Sequence, residues 1–361
     1  MKAAVLNEQP GALSIEDIDI AEPNADEVLV RTVGAGLCHS DLHFMEATFR
    51  SKLPAVLGHE SAGVVEAVGA NVTYVEPGDH VVCCLSVFCG GCKQCLSGHP
   101  YRCINPAATM RRKGETPRLT RGGESVEQFA HLAGFAEQML VHQNAVVKIN
   151  PEMPLDRAAL IGCGVLTGSG AVFRTAAVEA GSTVCVLGAG GIGLAAIQAA
   201  RITGAGQVVV VDVNDQKLTT ARQMGATHTV NAMEVDDVAA AVKDLTGGGV
   251  DYSFEAIGRK ATVEQAFNML DIGGTATVIG MVPSKERIEI RGMDLLSEKK
   301  LQGSMMGSNQ FRVDIPNLVQ MYLDGRLMLD EMVSATLTLD QVNDGYEMMK
   351  NGEVARSVIT F

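Results

Sequence analysis

A chain of 361 residues is longer than one hydrophobic core usually serves, so two domains are expected. With 47% hydrophobic and 20% charged residues, the composition is that of an ordinary globular protein and excludes a disordered or fibrous one. Against 29 basic residues stand 42 acidic ones, a formal net charge of -13, which opposes a broad phosphate-tracking surface for nucleic acid but leaves local basic spots for a small anionic cofactor.

The opening residues, MKAAVLNEQPGALSIEDIDI, carry acids early and lack the basic, apolar and small-residue regions of a secretory signal. No uninterrupted apolar run approaches the roughly 18 residues of a spanning helix. A cytoplasmic protein without a membrane partner is therefore expected. Residues 1 to about 150 alternate short apolar strands with Gly and Pro, as in VLVRTV at 28–33 and GVVEAV at 63–68, the rhythm of an antiparallel, barrel-like unit. Nine cysteines make an odd count, and in a chain without an export signal their clustering favours metal or catalytic use over disulfides.

Cys89, Cys92, Cys95 and Cys103 follow C-x2-C-x2-C-x7-C in a Gly-rich stretch. Four thiolates complete a tetrahedral zinc and leave no open position, so this set reads as a structural site, with free thiols, disulfides or an iron–sulfur cluster as alternatives. The polar segment after it carries Arg111, Arg112, Lys113, Arg118 and Arg121, which reads as a solvated basic face. Cys38 in GLCHSD, His59 in GHE and Cys163 in IGCGVLTG are dispersed. A catalytic zinc often takes three ligands from separated elements and keeps a fourth position open. Taken singly, Cys163 also reads as a small buried residue and His59 as a turn histidine.

From about residue 156 buried apolar strands alternate with Ala-rich helical stretches, which signals βαβ units and a parallel sheet. The strands read at 183–187, 207–211, 251–254 and 275–279, with helices over 191–203 and 215–224. GAGGIG at 188–193 follows the first of these strands and opens a helix. Gly188 permits the tight turn, Gly190 lets backbone approach a pyrophosphate, and Gly193 allows close helix–strand packing, while Gly191 and Ile192 begin the helix whose N–H groups face the phosphate. Asp212 stands 19 residues after Gly193, where a carboxylate accepts from the adenosine ribose. It favours NAD over NADP, since Val213 and Asn214 offer no guanidinium for a 2'-phosphate. Lys217 is within reach of the ribose, and a bare glycine turn is the bland alternative. After about 306 the pattern reverts to helix, loop and a short last strand at 357–361.

GLCHSDLH at 36–43, GHESAGVVEAVG at 58–69, PGDHV at 77–81, the four-cysteine lobe, GCGVLTG at 162–168 and GAGGIG occur in one order along the chain. In this the sequence closely resembles the zinc-dependent alcohol dehydrogenases of the medium-chain dehydrogenase/reductase superfamily, essentially end to end. The resemblance implies an α/β protein: a GroES-like, mostly antiparallel β-barrel catalytic domain over 1–164 with its zinc lobe at 89–103, a doubly wound Rossmann domain over 165–307, and a return to the catalytic domain over 308–361. It implies NAD and two zinc ions per subunit. Cys38, His59 and Cys163 look like the catalytic zinc ligands, with Glu60 close behind the metal and Asp41 orienting His59. Cysteine at 163 separates the chain from polyol-dehydrogenase relatives, which commonly have glutamate there.

By the same resemblance Ser40 contacts the substrate hydroxyl and passes its proton through the cofactor ribose toward His43, although plain loop hydrogen bonding is the bland reading of both. His39 and Arg356 look like phosphate contacts, Thr167 a nicotinamide contact, and Ile279 a further cofactor contact at a strand end. Phe49, Leu85, Phe129 and Ala130 match substrate-pocket positions. The smaller groups at 85 and 130 imply room for a benzylic, cyclic or long-chain alcohol.

The reaction implied is reversible oxidation of a primary or secondary alcohol by hydride transfer from an alkoxide held on zinc. Zinc can lower the pKa of a bound water from about 15.7 to about 7, roughly 12 kcal/mol, which outweighs the about 3–5 kcal/mol of a general base. A long insertion after the zinc lobe favours a homodimer, with a tetramer as the alternative, joined near the edge strand at 301–304. Competing readings are a thiol-dependent formaldehyde dehydrogenase and a zinc-ribbon nucleic-acid-binding protein.

Overall fold

The computed structural model describes residues 1–50, 52–352 and 354–361. The chain divides into two compact units, Met1–Gly164 with Gln310–Phe361, and Val165–Asn309. Ser308 and Asn309 stay with the second unit, because Ser308 Oγ lies 2.8 Å from Thr175 Oγ1 and Asn309 Nδ2 donates to Met306 O. The C-terminal part of the first unit begins at Gln310.

In the second unit, β-branched runs bury both faces of a parallel sheet, as such sheets require. Six strands lie in the order His228–Asn231, Gln207–Asp212, Thr183–Leu187, Val250–Glu255, Leu270–Val278, Lys300–Gly303. Every pairing is parallel. Numbered along the chain this is 3-2-1-4-5-6, the doubly wound dinucleotide-binding order. The helices between carry local stop and start signals. Gly191–Thr203 ends at Gly204 with φ +84, and Asn214 caps Asp215–Gln223 by accepting from the N–H groups of Gln216 and Lys217.

The first unit is mostly antiparallel. One sheet runs through Val146–Lys148, His80–Cys83, Glu60–Val68, Glu27–Gly36, Ser357–Thr360 and Ala335–Leu337, with Gln138–His142 also on Glu27–Gly36. The last strand lies against Gly34–Gly36, which ties the C-terminal segment to the stem that leads into Cys38. Two strands extend beyond their alternating apolar stretches: Glu27–Gly36 passes 33, and Glu60–Val68 begins before 63. The added residues are glycines, alanines and polar groups, paired Gly34 to Ala62, Ala35 to Ser61 and Gly36 to Glu60. Alternation fails there because small and polar residues beside the site interleave with the buried Ala35 and Ala62.

Leu155–Ala176 is one continuous helical stretch with π-helical turns at Ile161–Val165 and Ala171–Ala176. By length and composition alone it could cross a membrane, yet 83% of its apolar window is buried inside the protein, so its hydropathy belongs to the core.

The basic segment departs from expectation. Arg112 and Lys113 are exposed, but Arg118 is only 8% exposed, and both Arg111 and Arg118 close on the buried carboxylate of Glu27. Burial alone would raise Glu27, yet hydrogen bonds from Arg111, from the Asn24 N–H and from Arg118 bring its pKa down to about 2. Arg121 pairs with Glu16. The segment is therefore anchored by buried charge.

Candidate active site

Cys38 ends the stem that follows Glu27–Gly36 and forms the N-cap of the helix His39–Met45. The first turn of that helix buries Asp41, whose Oδ1 accepts from the Gly58 N–H at 3.0 Å and lies 3.1 Å from His59 Nδ1. This fixes the imidazole with Nδ1 toward the carboxylate and leaves Nε2, which is buried and has no hydrogen-bond partner, to ligate. Cys163 sits on the first π-helical turn, flanked by glycines for a steric reason. A Cβ at Gly162 would stand 2.6 Å from Cys83 O, and one at Gly164 would overlap Arg356 Nη2.

The donor atoms of Cys38, His59, Glu60 and Cys163 all lie within 4.8 Å of one another, and all four residues are buried. Two sulfurs and an imidazole are the donor chemistry of a catalytic zinc, and the orphaned His59 Nε2 and Glu60 Oε2 are buried polar atoms that need a partner. The set fits such an ion. The Cys163 thiol donates toward Cys38 and, against the opposing effect of burial, holds it well below the usual thiol range, helped by the His59 and Arg356 charges. Hydrogen bonding to Cys38 and burial push Cys163 well up.

Glu60 is pushed up to about 8 by burial, with the Arg356 charge opposing. Arg356 Nη2 donates to Glu60 Oε1 at 2.9 Å and Nη1 to Leu37 O, so the guanidinium is buried behind the ligand set. Ser40 Oγ lies 3.7 Å from Cys38 Sγ. His43 is half-buried with its ring edge-on to Phe49, and His39 is exposed on the same helix.

Aromatic rings gather here. Phe129 lies edge-on to His59 at 5.6 Å and to Phe44 at 4.5 Å, and Phe44 meets Phe49 at 6.0 Å. Phe44 was not legible as a site residue, because nothing in HFME separates it from an ordinary helix-face aromatic. Ala130 follows Phe129 in a left-handed conformation, φ 54. Leu85 packs on the core cluster that contains Val81, Cys83, Val87 and Leu132.

The four-cysteine lobe closes on itself. Cys92 Sγ is 3.4 Å from Cys95 Sγ and 4.0 Å from Cys103 Sγ, and Cys89 Sγ is 4.0 Å from Cys95 Sγ. Four sulfurs about 2.3 Å from a tetrahedral zinc stand about 3.8 Å apart, so the set fits that ion. The N–H groups of Cys95 and Ile104 bring Cys92 down to about 6. All nine cysteines are free of disulfides.

In the second unit the glycine loop follows Thr183–Leu187. Gly188 has φ +95 and its N–H donates to Val211 O. A Cβ at Gly193 would strike Gly188 O at 1.8 Å, whereas one at Gly190 would meet nothing within 4 Å, so the loop leaves a cradle where a phosphate would approach. Gly191 and Ile192 open the helix. The carboxylate of Asp212 holds the loop: Oδ2 accepts from the Ala189 N–H at 2.7 Å, and Oδ1 from Val213 and Asn214. Lys217 stands in the first turn of the next helix, and Ile279 just beyond Leu270–Val278. Thr167 is buried, its Oγ1 3.5 Å from Met306 Sδ. The loop, Asp212 and Ile279 thus share the carboxyl ends of the strands, where such sheets bind ligands.

Residues 24–151 match the family model of the alcohol dehydrogenase GroES-like domain, and residues 191–323 that of the zinc-binding dehydrogenases. An alcohol dehydrogenase zinc-binding domain protein from Burkholderia ambifaria is 37% identical with a TM-score of 0.95, over 100% of this chain and 98% of its own. Benzyl alcohol dehydrogenase from Acinetobacter calcoaceticus is 33% identical with a TM-score of 0.93, covering 100% and 99%. A zinc-binding dehydrogenase from Sinorhizobium meliloti 1021 bound to NADP is 30% identical with a TM-score of 0.83, again covering 100% and 99%. With a buried thiolate–imidazole donor set on one unit, a dinucleotide loop on a 3-2-1-4-5-6 sheet in the other, and end-to-end likeness to these enzymes, the chain belongs to the zinc-dependent alcohol dehydrogenases of the medium-chain dehydrogenase/reductase superfamily.

Proposed function

We propose that this protein is an NAD-dependent dehydrogenase that reversibly oxidises primary or secondary alcohols to aldehydes or ketones, with bulky, benzylic or cyclic alcohols preferred over ethanol. The observation that carries the reading is the gathering of Cys38, His59 and Cys163 into one buried donor set from three separated stretches. When bound, zinc supplies a Lewis acid that makes the alcohol hydroxyl acidic, and NAD supplies the hydride acceptor.

The chain's own residues do the rest. The charges of Cys38 and Cys163 offset those of a divalent ion, and Asp41 keeps the His59 lone pair directed at it. Ser40 Oγ, beside Cys38, takes the hydroxyl proton as it gives up its own, and His43, on the same helix, receives the proton by way of the cofactor ribose. Arg356 holds Glu60 in place behind the set, and any part it has in holding a phosphate would rest on Nε, the one nitrogen without a partner among the described residues. Phe44, Phe49 and Phe129 supply flat apolar faces suited to an aromatic alcohol, and the likeness to a benzyl alcohol dehydrogenase supports the same class. Asp212, followed by Val213 and Asn214, favours NAD, because a 2'-phosphate would face a carboxylate with no guanidinium beside it. Nine unpaired cysteines suit a reducing compartment such as the cytoplasm.

The test is a panel of alcohols with both cofactors. We expect kcat/KM for benzyl alcohol to exceed that for ethanol by about tenfold or more, and NAD to be preferred over NADP by a similar factor. A preference for ethanol would reject the substrate class, and a preference for NADP would reject the role given to Asp212.

A further inference from the structure

Arg118 joins two features that lie far apart in sequence. Its Nε donates to Glu27 Oε1 at 2.6 Å, its Nη2 to Thr109 O at 2.8 Å, and its Nη1 to Gln128 Oε1 at 3.2 Å. Arg111 holds the other side of the same carboxylate, with Nη2 2.6 Å from Glu27 Oε2. Gln128 in turn donates through Nε2 to Leu140 O at 2.9 Å and to Leu132 O at 3.3 Å. A buried charge network that satisfies its donors this completely is rigid.

The residues between those two carbonyls and Gln128 are in an uncommon conformation. Ala130, His131 and Ala133 have φ of 54, 63 and 64, a region that non-glycine residues occupy only where the surroundings over-determine it. At the start of this loop is Phe129, edge-on to the His59 ring at 5.6 Å. Its far end, Gly134 and Phe135, donates to the carbonyls of Gly58 and Leu57, directly before His59. The loop is therefore pinned at one end by Gln128 and at the other by the segment that delivers His59.

We infer that Gln128, clamped by Arg118 and Glu27, is a positioning residue that holds the strained 129–133 loop so that Phe129 forms one wall beside His59, and that this brace sets the enzyme's preference among alcohols. The residue touches no reacting atom and acts through Phe129. The inference rests on the reading of the Cys38, His59 and Cys163 set as the alcohol site.

Gln128→Leu keeps about the same side-chain size and removes both bonds donated by Nε2 together with the Oε1 acceptor that Arg118 uses. In the full-length, zinc-loaded enzyme we expect KM for benzyl alcohol to rise about tenfold, kcat to stay within about threefold, the benzyl alcohol to ethanol ratio of kcat/KM to fall about tenfold, and the dissociation constant for NAD to be unchanged. The ring resonances of His59, followed by NMR in histidine-labelled protein, should shift as Phe129 moves. In a Phe129→Ala background the same substitution should change the ratio no further, because both act through one ring. Arg118→Lys retains the charge on Glu27 but loses the fork that reaches Gln128; it should shift the ratio in the same direction by less, and it carries the test if Gln128→Leu does not fold.

Unchanged KM, ratio and His59 resonances in a folded Gln128→Leu protein would overturn the inference, even if its melting temperature fell. Were the parent enzyme inactive on every alcohol with either cofactor, the functional reading would fail instead, and the His59 resonances would still decide whether Gln128 positions Phe129.

Discussion

Gly190 and Gly193 stand three residues apart in one loop and serve opposite ends. At Gly193 an added Cβ would strike Gly188 O at 1.8 Å, so that glycine is needed to fold the loop. At Gly190, with φ -79 and nothing within 4 Å, a side chain fits the fold but fills the cradle. We therefore expect Gly190→Val to leave the melting temperature within about 2 °C while raising KM for NAD roughly 100-fold, about 2.7 kcal/mol of lost binding. An unchanged KM would remove the pyrophosphate from this loop. Such positions were legible because a short motif states them. Glu27 and Arg118 were not, since 91 residues separate partners whose burial only the folded chain reveals, and a basic run in a sequence reads as solvated until its counter-charge is found.

Elements with a single task follow their local pattern. Gly191–Thr203 has the bounds that its apolar stretch and terminal glycine indicate, and Thr183–Leu187 coincides with its buried β-branched run. Elements with two tasks do not, and Glu27–Gly36 and Glu60–Val68 lengthen toward Cys38 and from His59, where they carry core and site together. The π-helical turn under Cys163 likewise has no signature in hydropathy, because an added residue per turn is a response to tertiary demand. The cysteine lobe lies between these cases: its spacing announced a tetrahedral set, and the sulfurs meet within 4.0 Å. Since the short helices of the lobe bury little apolar surface, metal should carry its stability. Cys103→Ser is expected to lose one zinc per chain and several degrees of melting temperature while NAD binding persists, as calorimetry and titration would read. A melting temperature equal to the parent's would make the lobe independent of metal.

For the molecule as a whole, the order of the motifs revealed both units, because each motif belongs to one strand-and-loop junction of a known architecture. An edge strand looks like any other in sequence. Lys300–Gly303 closes one side of the parallel sheet, and Met293, Leu295, Leu296 and Met305 are exposed on either side of it in the chain. We propose that two copies join there, so light scattering should give about twice the chain mass of 38.1 kDa. A mass equal to one chain or to four would contradict a dimer. The central claim is that Cys38, His59 and Cys163 hold one catalytic ion, and zinc analysis of the parent beside Cys163→Ala, paired with single-turnover oxidation of benzyl alcohol, tests it most directly. The account predicts two zinc ions per parent chain, one for each gathered donor set, and one in the variant, with turnover reduced about 10³-fold or more and NAD binding retained. A variant that keeps both ions, or that loses one and turns over at the parent rate, would contradict it.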